Sequence, residues 1–517
     1  MNLTRHQKIF FWSALFLIYL LAWIAQSQLL IKGDVSWQMK LAKIVLAGGT
    51  YGKDFFEINP PLSIYLYMPP LALTKYFSLM AITSVRIYFF ILATFSWIFC
   101  FFLAKKIFRP QDSVVFSLFL LSISFVYLIL PLSEFGQREH FLVLLTLPYL
   151  LLVTCRLQDV NISPIPAILI GLMAGIGFAL KPFFLLTFFL VELYYLYSQS
   201  NFNKMIVAWM RPETLAIIFF LIAYALFIFV FYQAYLTVIV PIATRFYYQL
   251  FGEPWGVVII EPLVFYTGAG FLLYFISYKT NHYNKLTLLL ALASIGYLIV
   301  YLSQQLSWYY HLIPALSIEF ILTALIFSMF IQQIKFHLLD CLLAAILGFI
   351  LFFIPFQFFI IYYRFGIMQK SDLAPVITYL QQHEKNRPVY FFSTKSAYMV
   401  SVIEQAGAIH SSRLQFLAWM QRYFRLDLPQ NKSPQQIRDE NFFINMLTED
   451  LTRNKPDIIF VDNLSYMTRT NSSMSLDYLA ILSKNSAFQT AWKHYHYVKT
   501  VEGTKDSYYK FSLYKRS

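Results

Sequence analysis

The chain predicts a polytopic α-helical membrane protein that carries a soluble α/β domain at its C-terminal end. Three observations carry that prediction. Hydrophobic residues make up 59% of the 517 and charged residues only 13%, where soluble domains hold about 25% charged. About eleven apolar runs approach or exceed the roughly twenty residues that cross a bilayer core. From about Ser371 the composition turns polar and no further run of that kind follows.

The runs fall in order at 9–31, 83–104, 113–132, 140–156, 164–180, 182–199, 213–239, 257–278, 286–303, 311–332 and 338–363. The first follows Arg5, His6 and Lys8. Its apolar core is longer than the roughly 7–15 residues of a cleaved signal peptide, so it reads as an uncleaved anchor with a cytoplasmic N-terminus. The stretch 61–80 is also apolar, but it holds Pro61, Pro69 and Pro70 directly after Pro60. Prolines remove helix donors and clash with the preceding turn, so it reads as a short interfacial helix within an outer loop over 32–82. Phe and Tyr are abundant (54 and 37), as suits rings at lipid–water boundaries.

Charge sets the orientation. The inner loops would hold Lys105, Lys106 and Arg109, then Arg156, then Lys204 and Arg211, then Lys279 and Lys285, then Lys335. The short outer links hold Arg138, Lys181 and Arg245, and the long first outer loop holds Lys40, Lys43, Lys53 and Lys75. Apart from that first loop, the bias follows the positive-inside rule. It also accounts for the net charge of +14 without nucleic acid, for which no motif is present. Cys100, Cys155 and Cys341 lie in apolar runs and form no CxxC pair, which speaks for burial rather than redox or metal chemistry.

An odd number of spans places the tail on the outer side. The chain therefore divides into a transmembrane part, 1–370, and a periplasmic or extracellular α/β domain, 371–517. PVYFFST (388–394) and DIIFVD (457–462) read as buried strands, with a helical pattern such as Ala397–Gln405 between them. HYVKTVEG and SYYKFSLYK read as a closing strand pair. No Gly-rich phosphate loop follows either buried strand, so nucleotide binding there is unsupported. No internal repeat is evident.

The residues suited to chemistry gather in the outer loops. Asp34 sits just past the first run, where a carboxylate suits a general base; a residue marking a helix end would occupy the same place. Asp54, Glu57 and Asn59 precede Pro60-Pro61 and suit a sugar or a divalent cation, or a solvated turn. In PLSEFGQREHFL, Glu134, Arg138, Glu139 and His140 crowd the entrance of a run. Arg138 suits bidentate contact with a phosphate, and Glu139 or His140 suits metal binding or substrate orientation. An internally paired interfacial cluster is the plainer alternative. Lys181 follows the small-residue stretch GLMAGIGFAL, which favours close helix packing; it suits an anionic group or simple snorkelling. SQQLSWYYHLIPAL offers Gln304, Gln305, Trp308, Tyr309, Tyr310 and His311 for carbohydrate contact; a plain aromatic belt would explain the tyrosines but not His311. Arg245 stands in a further polar and aromatic loop. All these residues fall on one side in a topology set mainly by other charges, which points to an outward-facing active site.

With those residues in place, the chain resembles bacterial multi-spanning glycosyltransferases of the GT-C fold. More narrowly, it is similar to the group of dolichyl-phosphate-mannose protein mannosyltransferases, lipid A aminoarabinose transferases and rhizobial galacturonosyl transferases. The resemblance rests on Asp34 after the first span, Asn59-Pro60-Pro61-Leu62, the acidic second outer loop, Lys181 after a Gly-rich span, and the His311/Pro314 segment, in order over residues 1–320. It implies a GT-C-like bundle of about eleven transmembrane helices in the bacterial inner (plasma) membrane. It implies a polyprenyl-phosphate sugar donor, a lipid, glycan or protein acceptor on the outer side, and Asp34 as catalytic base. Relatives place a charged pair before the proline element; here Ile58 and Asn59 stand there, with Glu57 further back. Glu134 and Glu139 stand where many relatives carry an aspartate.

Three other readings share some of these features. A transporter or flippase of lipid-linked sugars predicts charges near the bilayer midplane and internal repeats. A polysaccharide ligase or polymerase predicts a rich late outer loop, whereas here the early loop is richer. A binding module on a membrane anchor needs far fewer spans.

Overall fold

The computed structural model describes residues 4–517 except 200, 261–263, 265, 269–270, 272–273, 276–281, 334–337, 396–397, 425–431, 465–475 and 505–508. The principal helices run in chain order as α1 (Arg5–Gln28), α2 (Gly33–Leu46), α3 (Leu62–Phe77), α4 (Ala81–Ile107), α5 (Ser113–Leu128), α6 (Arg138–Leu157), α7 (Pro164–Ala179), α8 (Leu185–Tyr197), α9 (Phe202–Trp209), α10 (Pro212–Phe231), α11 (Asn284–Gln304), α12 (Tyr309–Gln333), α13 (Leu338–His383), α14 (Met399–Ala406) and α15 (Pro434–Asn454). The strands are β1 (Pro388–Phe392), β2 (Ile409–His410), β3 (Ile458–Asp462), β4 (Tyr495–Glu502) and β5 (Lys510–Arg516).

Among the described residues, α1, α4, α6, α10, α11 and α12 are long and apolar enough to cross a membrane, and α5, α7 and α8 are shorter apolar helices. Each falls on a predicted run. Half of the run 257–278 lies outside the described residues, as do Lys279, Lys335 and Ala397. Cys100 and Cys155 are free and buried. The stretch at 61–80 forms the single helix α3 despite Pro69 and Pro70 inside it. Its 16 residues rise about 24 Å, short of a core of roughly 30 Å.

The chain forms two compact units. One comprises residues 1–28, 85–231 and 252–363; the other comprises 29–84, 232–251 and 364–517. The first outer loop thus belongs with the C-terminal part, whereas the sequence assigned it to the transmembrane part.

The first unit is built around α6. Every side chain of α6 except Arg156 is buried, as befits a helix that is apolar all round and sits at the centre of a bundle. Ser96 of α4 bonds the Leu144 carbonyl at 2.5 Å and Tyr127 of α5 at 2.8 Å, and Thr146 of α6 meets Tyr297 of α11 at 3.0 Å. The glycines of α7 set its approach to α10. A Cβ at Gly171 would stand 2.5 Å from the Glu213 carbonyl oxygen, and one at Gly175 would stand 3.0 Å from Phe220 Cβ. This is the close packing that the small-residue stretch predicted.

The second unit holds a five-stranded sheet of order β2-β1-β3-β5-β4. β1 pairs in parallel with β2 and β3, while β5 runs antiparallel to both β3 and β4. Both predicted buried strands and the closing pair are present. Phe391 and Phe460 stack at 4.6 Å, with Phe511 edge-on to Phe391. Leu373, Val376 and Leu380 of α13, Val402 and Ile403 of α14, and Leu30 complete this core. Helix α15 starts at a capping box: Ser433 accepts the Gln436 amide while Gln436 accepts the Ser433 amide, and Pro434 takes the first turn.

Candidate active-site residues

In the first unit, four helix ends bring polar side chains together. A short 3-10 turn (Leu132–Glu134) and the first turn of α6 supply Glu134, Arg138, Glu139 and His140. The link after α7 supplies Lys181, the end of α11 supplies Gln304, and the start of α12 supplies His311. All seven are buried. The Lys181 ammonium pairs with Glu139 Oε1, donates to Gln304 Oε1 at 3.3 Å and lies 3.5 Å from His311 Nδ1. His311 Nδ1 is also 3.5 Å from Glu139 Oε1. The rings of Tyr310 and Phe184 lie 5.6 and 5.8 Å from the ammonium.

Among the described residues, neither Glu139 Oε2 nor His311 Nε2 has a hydrogen-bond partner. A buried polar atom left open costs about 1–3 kcal/mol, and such atoms in native folds call for a ligand, a water or a chemical role. Lys181, Glu139, Gln304 and His311 therefore form a cation-bearing cluster with one carboxylate oxygen and one imidazole nitrogen available.

Their neighbours are engaged differently. The Gly136 amide donates to His140 Nδ1 at 3.1 Å, and His140 Nε2 donates to the Tyr127 carbonyl at 2.7 Å. Both ring nitrogens thus serve backbone groups, and the ring stacks on Phe89. Glu134 takes Ser133 and Gln137 at 3.5 and 3.4 Å. Arg138 occupies the first turn of α6, where a cation opposes the helix dipole.

In the second unit, Asp34 lies in the first turn of α2, at the positive end of the helix. It is half-buried, and Gln415 Nε2 donates to its Oδ1 at 2.9 Å. Glu57 is buried and saturated. Trp37 Nε1 and Gln38 Nε2 reach Oε2 at 2.6 and 3.1 Å, while the Asn59 amide and side chain reach Oε1 at 2.7 and 2.5 Å. The Tyr51 hydroxyl lies 2.6 Å from the Glu57 carbonyl and 2.7 Å from that of Asn59. Glu57 and Asn59 therefore lock the turn ahead of Pro60.

Asp54 accepts the Thr50 amide at 2.8 Å, which chiefly holds its carboxyl below the usual range, and Arg453 stands 3.6 Å away. Arg245 makes a bidentate pair with Asp439, both bonds 2.9 Å. Among the described residues, no three His, Cys, Asp or Glu side chains gather as a metal ligand set.

Several residues escaped the sequence reading. In the sequence Lys40 is only one more loop charge. It extends from α2 to His410 Nδ1 at 2.9 Å and to the Ser412 carbonyl, with its ammonium 4.6 Å from the Trp37 ring. Loss of water around the ammonium lowers it to about 7. At the carboxyl ends of β1 and β3, Lys395 and Ser393 hold buried Asp462 at 3.1 and 2.8 Å; desolvation lowers the lysine and raises the carboxyl. Glu319, inside α12, takes Ser294 at 3.1 Å. Carboxylates inside apolar runs are the signal that would have found Glu319, Glu192 and Glu213.

No family model matches the sequence, and no curated protein matches it by sequence. Solved structures do match. ArnT from Cupriavidus metallidurans bound to undecaprenyl phosphate aligns over 99% of this chain and 98% of its own, with a TM-score of 0.56 and 10% identity. The same protein in its apo state aligns over 98% and 97%, with a TM-score of 0.55 and 9% identity. The chain has the GT-C fold of a polytopic helical membrane protein, over nearly its whole length.

Proposed function

We propose that this protein transfers a sugar from a polyprenyl-phosphate donor to a lipid, glycan or protein acceptor on the outer face of a bacterial inner membrane. The observation that carries the proposal is the buried Lys181 cluster, with Glu139 Oε2 and His311 Nε2 open. It occurs in a chain with the fold of a protein seen bound to undecaprenyl phosphate. Fold alone does not give function; a buried cation beside an open imidazole nitrogen supplies the charge and the donor that a lipid phosphate requires, while the open Glu139 oxygen suits a sugar hydroxyl.

The residues take separate roles. Lys181 and Arg138 balance the charge that grows on the lipid phosphate as it leaves. Glu139 and Gln304 fix the Lys181 ammonium, and His311 Nε2 offers a hydrogen bond to substrate. Asp34 accepts the proton from the acceptor hydroxyl or amine as its oxygen or nitrogen bonds to the anomeric carbon. The bond from that carbon to the phosphate oxygen breaks, and the lipid phosphate carries the electron pair away. One displacement inverts the anomeric centre, with no covalent enzyme intermediate.

The test is a transfer assay in membranes that hold wild type or Asp34→Asn, following radiolabelled sugar from polyprenyl-phosphate donors into lipid and glycan fractions. A loss of about 100-fold or more, the span of general-base catalysis, is expected with insertion unchanged. Full transfer by Asp34→Asn would remove Asp34 from the chemistry. Movement of intact donor across the membrane without transfer would favour a flippase.

A further inference from the structure

The first unit carries a second ionic cluster, formed by residues that the charge distribution assigns to the cytoplasmic end. Arg156, at the end of α6, makes bonds of 3.0 and 3.1 Å to the two oxygens of Glu213 in the first turn of α10. Arg211, just before α10, pairs with Glu192 of α8, donates to the Ala208 carbonyl at 2.7 Å and lies 3.6 Å over the Tyr195 ring. Both carboxylates are buried, and so is Arg211. Among the described residues, Arg211 Nη1 makes no hydrogen bond and stands 3.7 Å from Glu213 Oε1.

A cavity of about 360 Å³ opens here, lined by Arg211, Lys204, Gln199, Asn201 and Asn203. Its lining offers two cations and three amides, and no carboxylate. The same cavity is walled by α9, which starts where Asn201 Oδ1 accepts the Lys204 amide at 2.9 Å. Beside those polar positions α9 and its end expose Phe202, Ile206, Val207 and Met210. Short helices with one apolar and one cationic face lie in the headgroup layer, and basic pockets at cytoplasmic helix ends suit lipid phosphate.

We propose that this cavity binds the phosphodiester headgroup of an anionic phospholipid of the cytoplasmic leaflet, with the acyl chains along the apolar side of α9. Lys204 and the Arg211 guanidinium bind the phosphate, the amides of Asn201, Asn203 and Gln199 bind the glycerol or terminal headgroup oxygens, and Arg211 stays anchored by Glu192. The site is independent of sugar transfer, so it stands or falls separately from the proposed activity.

The experiment measures lipid binding to the purified full-length protein by native mass spectrometry. Dioleoylphosphatidylglycerol and dioleoylphosphatidylcholine are compared, with and without inorganic phosphate. Tighter binding of phosphatidylglycerol is expected, and Lys204→Gln, at an exposed position, weakens it about fivefold, the effect of one headgroup cation. Arg211→Lys keeps the charge opposite Glu192 and also weakens binding if the guanidinium contacts the phosphate. Equal binding of the two lipids overturns the proposal. So does phosphatidylglycerol binding unchanged by Lys204→Gln, or its full displacement by millimolar phosphate, which would make this a site for the free ion.

Discussion

Glu57 in the second unit and Glu139 in the first are buried carboxylates that the fold treats in opposite ways. In the second, both oxygens of Glu57 are filled by four N–H donors from Trp37, Gln38 and Asn59. In the first, Glu139 faces Lys181 through one oxygen, and its other oxygen has no hydrogen-bond partner among the described residues. From the sequence alone the two glutamates look alike: each is an acid in an outer loop close to an apolar segment. The difference teaches that saturation by the fold's own donors marks an anchor, while an open atom beside a buried cation marks a place for a ligand.

The strongest way to break this contrast is to remove Lys181. Lys181→Met strands Glu139 beside a buried gap, and losing one partner of a buried pair costs about 3–5 kcal/mol. The thermal midpoint of the purified protein should drop sharply, and Lys181→Met with Glu139→Gln should recover most of it without recovering transfer. Recovery of transfer in the double variant would show that the cation has no part in the chemistry.

Glu57→Gln comes next. It places an amide NH₂ among N–H donors and leaves at least one unsatisfied, at about 1–3 kcal/mol. Proteolysis of the 29–84 segment should quicken, while the intact fraction keeps its transfer rate. A selective loss of rate with normal proteolytic resistance would move Glu57 from anchor to substrate contact.

Lys40 gives a smaller, pH-dependent effect. Its folded value of about 7 lies below its ordinary value near 10.4, so between them the unfolded chain binds more protons. The stability that Lys40 contributes is therefore full above about 10.4 and is lost as pH falls through 7, with a slope of up to about 1.4 kcal/mol per pH unit. Wild type should gain thermal midpoint relative to Lys40→Met between pH 7 and 9. Parallel curves would mean that the ammonium is well solvated. The smallest effect belongs to Arg245→Gln. Its pair with Asp439 is partly exposed and is worth about 0–1 kcal/mol. Transfer should stay within twofold of wild type, because the guanidinium is already held by Asp439.

Much of the fold was legible because apolar length and strand composition are local properties. The predicted runs that the structure describes are helices, and the tail holds the predicted strands. What stayed hidden was long-range. Nothing in GDVSWQMKLAKIVL states that it forms a helix with eight of its 14 residues buried, whose Ser36 meets Ser401 and whose Lys43 meets Glu404. That pairing needs contacts more than 360 residues apart in sequence. For the same reason the loop was assigned to the membrane part. Among the candidate residues, Glu139, Lys181 and His311 were each visible as ionisable groups at run ends, and the structure brings them together. His140 stood in the same cluster by sequence, but its ring serves Gly136 and Tyr127; a backbone partner leaves no mark on composition.

The most direct test of the contrast is the binding of undecaprenyl phosphate to wild type and to the paired variant Lys181→Met with Glu139→Gln, of closely matched size, followed by native mass spectrometry. The double variant removes both charges together. Binding by wild type that weakens about tenfold or more in the variant is expected, since one charge-assisted hydrogen bond is worth roughly 1.5–3 kcal/mol. Equal binding by both proteins would show that the Lys181 ammonium does not receive the lipid phosphate.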